Sequence, residues 1–186
     1  MKEHDRESTV KRRLSPEAQE RAAATARRPA PSAVPEKHEV ADWLNRLLAD
    51  EFILYTKTLN DHWNVRGMQF SSLHEFFEML YEASQKIFDD VAERVRTVGG
   101  VALGTMREFL QHTRLEEQTV LPPDARGMIA NLHADHQAIL STLREGIDAM
   151  EERFDDPGTC NFLTDLLEQH EKLAWMLRAH LDKDLA

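Results

Sequence analysis

Cysteine is almost missing from this sequence: Cys160 is the only thiol in 186 residues. An internal disulfide framework is therefore excluded, and the usage fits a reducing compartment. Long apolar runs are missing as well. No stretch approaches the roughly 18 apolar residues of a membrane helix, and positions 1–10 are charged rather than apolar, unlike a secretory leader. Proline is absent between positions 36 and 121, which leaves that part of the chain free to form uninterrupted helices. No segment alternates like a strand, and no internal repeat is visible. None of the nine histidines has a glutamate three residues before it. The Glu-x-x-His pair that builds a di-iron centre within a single bundle is thus lacking.

What is present begins with an uneven charge. The net charge is −10, yet positions 1–37 hold nine Lys/Arg against six Asp/Glu, while positions 38–186 hold 14 against 27. A basic arm on an acidic body suits contact with an anionic polymer at one end and attraction of cations at the other. The arm, residues 1–37, carries four of the seven prolines and few large apolar residues. Little burial there offsets the entropy of ordering, so the expectation is a disordered or partly ordered segment with, at most, a short helix at 15–28. Its basic clusters are Lys11-Arg12-Arg13 and Arg27-Arg28.

The body, residues 38–186, changes to helical periodicity. Val40, Trp43, Leu44, Leu47, Leu48, Phe52, Tyr55 and Leu59 recur at spacings of three and four, which predicts a helix over 39–65. Ser72-Leu73-His74-Glu75 reads as a capping box for a second helix ending near Gly99-Gly100. A short helix fits 105–112. Pro122-Pro123-Asp124 precedes a third long helix, and Asp156-Pro157 opens a fourth. Four long amphipathic helices predict an all-α four-helix bundle. The connection between the second and third is long enough to cross the bundle, so those two helices are expected to run parallel, as in ferritin-like folds.

The second helix carries the chemistry. His74 and Glu78 are four apart, as are Asp89 and Glu93, and His62 lies just upstream. Each pair shares a helix face and can chelate a metal. Two imidazoles and three carboxylates form a mixed nitrogen and oxygen set suited to iron or zinc. Such pairs also occur on solvated faces, and His62 beside Trp63 also reads as a packed aromatic cluster. Glu78 and Asp89 are 11 residues apart. They therefore differ by about 20° in azimuth but by roughly 16 Å along the axis, so one metal cannot touch both on a straight helix. Two antiparallel copies of the helix remove the difficulty. His74 and Glu78 of one chain then meet Asp89 and Glu93 of the other across a twofold axis.

The run His62-Trp63-Asn64-Val65-Arg66-Gly67, with Phe70, Leu73-His74-Glu75, Asp89, Ala92-Glu93-Arg94 and 99–105, resembles the Dps family, the mini-ferritins also called DNA-binding proteins from starved cells. The run Glu171-Lys172-Leu173-Ala174-Trp175 is similar to that family's last helix, so the resemblance covers about 40–184. It implies a ferritin-like bundle assembled as a hollow homododecamer, with ferroxidase sites at twofold interfaces. By motif match His62 and His74 are the imidazole ligands, Glu78 stands where many members have Asp, and Asp89 and Glu93 come from the partner chain. The implied substrates are Fe(II) and hydrogen peroxide, with Fe(III) stored in the central cavity. Trp63 would intercept stray oxidising equivalents, and the location would be cytoplasmic and nucleoid-associated, with no membrane. Asp155 and Asp156 match pore-lining aspartates, although both equally suit a helix N-terminus. The arm's Lys11, Arg12, Arg13, Arg27 and Arg28 would bind DNA without base contacts, strengthened by avidity, the alternative being a solvated tail or an arm packed on a neighbouring subunit. The competing expectation is a DNA-compacting nucleoid protein with little ferroxidase activity. Further metals at His38 with Glu36, or at His133 and His136, are open, and His112, His170 and His180 read as structural.

Overall fold

The computed structural model describes residues 34–182, all of whose regular elements are helical. They are α1 (Val34–Asn64), α2 (Phe70–Thr97), α3 (Met106–His112), α4 (Ala125–Glu152) and α5 (Pro157–Leu181). Four long helices and one short helix in the crossover match the expected architecture. The arm's basic clusters and the helix expected at 15–28 lie outside the described residues.

Two boundaries differ from expectation. Helix α1 begins at Val34 rather than 39, inside the span assigned to the arm. Helix α2 begins at Phe70, with Gln69 as its N-cap and no side-chain capping bond. The capping box at Ser72 is therefore wrong: Ser72 Oγ donates instead to Gln69 O at 3.0 Å. The cause lies upstream. Gly67 takes a left-handed φ of 113°, open to glycine, and its carbonyl accepts from Phe70 N at 3.1 Å, so the helix starts before Ser72.

The other signals worked as read. Asp124 caps α4 through Gly127 N, and Asp156 caps α5 through Thr159 N with Pro157 in the first turn. Thr105 and Glu108 form a reciprocal capping box on α3.

Helices α1 and α2 form one antiparallel hairpin, and α4 and α5 the other. Cross-pairs fix their directions. Lys57 meets Asp135 at 2.5 Å while Glu39 pairs with Arg153, so α1 and α4 are antiparallel. Arg94 donates to Thr159 at 2.8 Å while Phe76 stacks on His180 at 4.4 Å, so α2 and α5 are antiparallel. Helices α2 and α4 therefore run parallel, and residues 98–124 cross the bundle. That crossover is tied to α1. Asn45 holds Val101 O and Leu103 N, each at 3.0 Å, and Asp50 accepts from Arg114 N at 2.6 Å. The shared core includes Leu44, Leu47, Phe77, Leu80, Leu132, Ile139, Leu143 and Leu163, all essentially without exposure. Burial on this scale is what holds helices that would be marginal in isolation.

Candidate metal centre

The turn at Gly67 sets the last turn of α1 beside the first turns of α2. It brings two histidines face to face. The rings of His62 and His74 stack with centroids 3.8 Å apart and planes at 19°. His62 Nδ1 lies 2.9 Å from His74 O, and His74 Nδ1 lies 2.9 Å from His62 O. A carbonyl only accepts, so each Nδ1 carries the proton and donates. With Nδ1 so engaged, Nε2 is the nitrogen each ring has left for a metal, and the Nδ1 bond fixes the ring's orientation.

Other side chains close round this pair. Tyr81 sets its ring edge-on to His62 at 5.1 Å, and Phe70 lies over His74 at 5.1 Å. Tyr81 Oη donates to Glu78 Oε1 at 3.4 Å. Partial desolvation, then Glu78 and Glu82, push the Tyr81 phenol above its ordinary value, so it stays a donor. Glu78 is exposed, and so are Asp89 and Glu93 farther along α2. Lys86 pairs with Asp90, not Asp89, at 2.6 Å.

Residues 70–97 form one unbroken helix, so the rise of roughly 16 Å between Glu78 and Asp89 is real. The protomer gathers His62 and His74 with Glu78 one turn away, and holds Asp89 and Glu93 apart. Among the described residues no three His, Cys, Asp or Glu side chains converge on a common point. Trp63 is 67% exposed, and Met68 and Phe70 beside it are also exposed. An apolar rim of this kind is what a subunit contact covers.

Of the remaining sequence candidates, Asp156 is occupied. It accepts from Thr159 N at 3.0 Å and Thr159 Oγ at 2.6 Å, with Arg94 at 3.4 Å. Against the desolvation of partial burial, these contacts hold its carboxyl below the ordinary range. Asp155 is exposed, with a left-handed φ of 46°. His136 is buried in the core, and His133, one turn earlier on α4, is half-buried. His38, His112 and His180 are exposed.

Sequence reasoning missed a buried polar chain. Glu51, His136 and His170 have 0%, 1% and 0% exposure. His170 Nε2 lies 3.0 Å from Glu51 Oε1, and His136 Nδ1 lies 2.9 Å from His170 Nδ1. Burial, then His170 and His133, hold His136 well below its ordinary value. The signal was available: His136 and His170 each sit in the apolar stripe of their helix, and Glu51 falls between Leu47, Leu48 and Leu54. Asp61, next to His62, is fully buried against Gln118, and burial raises its pKa to about 6.

Comparison with known proteins accords with this architecture. Residues 41–185 match the ferritin-like domain. The DNA protection during starvation protein 2 of Bacillus anthracis is 37% identical over 145 residues, which cover 78% of this chain and 98% of that protein. The crystal structure of a Dps protein from Bacillus brevis superposes with a TM-score of 0.75 at 35% identity, covering 79% of this chain and 97% of that one. A Dps protein from Vibrio cholerae, described as a member of a broad superfamily of ferritin-like diiron-carboxylate proteins, gives 0.75 at 31% identity, covering 79% and 91%. With its parallel second and third long helices and its paired histidines at the α1–α2 turn, this chain belongs to the ferritin-like proteins and, among them, to the Dps family.

Proposed function

We propose that the protein oxidises Fe(II) at sites shared between two subunits and stores the Fe(III) product. The observation that carries this reading is the division of ligands along α2. His62 and His74 are held through Nδ1, which leaves Nε2 for a metal, with Glu78 one turn along α2 from His74, whereas Asp89 and Glu93 stand exposed and out of reach on the same helix. A second copy, antiparallel to the first, supplies the missing carboxylates and covers Trp63, Met68 and Phe70. Each such dimer carries two equivalent sites. The relative from Vibrio cholerae, named for diiron-carboxylate chemistry, supports the identity of the substrate.

The donor set fits iron: imidazoles bind Fe(II), and carboxylates favour the harder Fe(III). Zinc, also suited to nitrogen and oxygen ligands, is an expected competitor. In the proposed reaction one hydrogen peroxide accepts one electron from each of two Fe(II). With two protons it yields two waters and two Fe(III), without free hydroxyl radical. Trp63, next to His62 in the sequence, would be the group oxidised when this pairing fails. The acidic body concentrates cations, and assembly into a hollow dodecamer would provide the store. Asp155, and Asp156 once released from its cap, would line the entry.

Anaerobic Fe(II) titration followed by peroxide tests the reaction. Oxidation is expected to collapse in the His62→Ala, Asp89→Ala double variant, and an unchanged rate would contradict the reading.

The relatives named for DNA protection favour a second activity, sequence-independent DNA binding by Lys11, Arg12, Arg13, Arg27 and Arg28. A cytoplasmic, nucleoid-associated location would follow. Among the described residues no helix is long and apolar enough to cross a membrane.

A further inference from the structure

We propose that Tyr81 is a positioning residue of the metal centre: its hydroxyl steadies Glu78 while its ring steadies His62, so that both are presented together to an incoming divalent cation. This rests on the intersubunit reading given above. Glu78 and Tyr81 are three apart on α2 and share a face. Tyr81 Oη donates to Glu78 Oε1 at 3.4 Å and makes no bond to Oε2. The ring meets His62 edge-on at 5.1 Å and 72°, an arrangement that opposes rotation of the imidazole. Tyr81 is in turn braced from behind by Tyr55, edge-on at 6.3 Å. The half-buried Tyr81 thus joins one ligand of α1 to one of α2, whereas the neighbouring Trp63 is 67% exposed.

The need for such a brace follows from side-chain length. A glutamate on a helix surface has three rotatable bonds, and immobilising a side chain of this kind weakens binding roughly three- to tenfold unless it is already held. Carboxylates that ligate metals are usually hydrogen-bonded in this manner. An aspartate at position 78, one methylene shorter, would fall short of the phenol.

A double-mutant cycle on the full chain tests the proposal, with anaerobic Co(II) as the probe and its visible absorption as the readout. Tyr81→Phe keeps the ring and removes the hydroxyl. It is expected to weaken Co(II) binding about three- to tenfold in the Glu78 background and to have no effect after Glu78→Asp. Equal affinity in Tyr81→Phe and the parent overturns the proposal, as does an equal loss in both backgrounds, which would mark Tyr81 as a packing residue only. The His62→Ala, Asp89→Ala variant is the control. If it loses the cobalt spectrum, a silent Tyr81→Phe refutes the positioning role alone. If it retains the spectrum, the site reading falls and takes this proposal with it.

Discussion

At the scale of single residues, the folded chain uses histidine in two opposite ways. His62, buried, and His74, half-buried, are oriented through Nδ1 by backbone carbonyls, which leaves Nε2 of each ring for a metal. His136 and His170 are sealed in the core with Glu51. Burial keeps the folded-state pKa of His136 well below its unfolded value near 6.5. Below pH of about 6.5 the unfolded chain therefore binds more protons, and stability falls as the medium is acidified. Asp61 opposes this: its pKa, raised from 3.8 to about 6, adds stability as pH falls between those values. Urea unfolding at pH 7.5 and 5.5 is expected to show a loss on acidification. The loss should be smaller in His136→Leu and larger in Asp61→Asn, and the reverse order would refute the assignment.

At the scale of elements, Asp156 separates two roles. As an N-cap, with Arg94 and Thr159 leaning on it, it is expected to contribute about 1–2 kcal/mol, lost in Asp156→Ala. Asparagine caps nearly as well, so Asp156→Asn should unfold close to the parent while removing the charge. Slower iron uptake in that variant would then report a pore, and unchanged uptake a cap alone. Gly146 gives a second test. Alanine normally favours a helix interior, but a Cβ here would lie 2.2 Å from the Trp43 ring. Gly146→Ala should therefore lower stability by about 1–3 kcal/mol in urea unfolding.

The same scale shows how much was legible in the sequence. Periodicity found all four long helices, because each buries one apolar stripe. Capping chemistry placed the starts of α4 and α5, because Asp124 and Asp156 act within their own turn. The start of α2 differs from the Ser72 reading because Gly67, outside the helix, sets it through a local turn closed by Phe70 N. For the site, spacing revealed that one straight helix splits its ligands. It could not reveal the crossed His62–His74 bonds or the Tyr81 brace, which exist only once α1 and α2 pack. The Glu51–His170–His136 chain escaped because it joins three helices through residues that looked like ordinary members of apolar stripes.

At the scale of the whole molecule, the proposed activities need a second subunit twice: to complete the metal centre and to multiply weak arms. One arm of modest positive charge would bind phosphate feebly, and the proposed assembly would convert several into strong, salt-sensitive binding. Removing residues 1–37 is expected to abolish DNA retardation in a gel while leaving peroxide-driven iron oxidation intact. Equal retardation with and without the arm would remove it from DNA binding. The most direct test of the central claim is a crystal soaked in Fe(II) and measured by anomalous scattering at the iron edge. Iron is expected beside a twofold axis, bound by His62, His74 and Glu78 of one protomer and by Asp89 and Glu93 of its partner. Iron held wholly by a single chain, or remote from that axis, would contradict it.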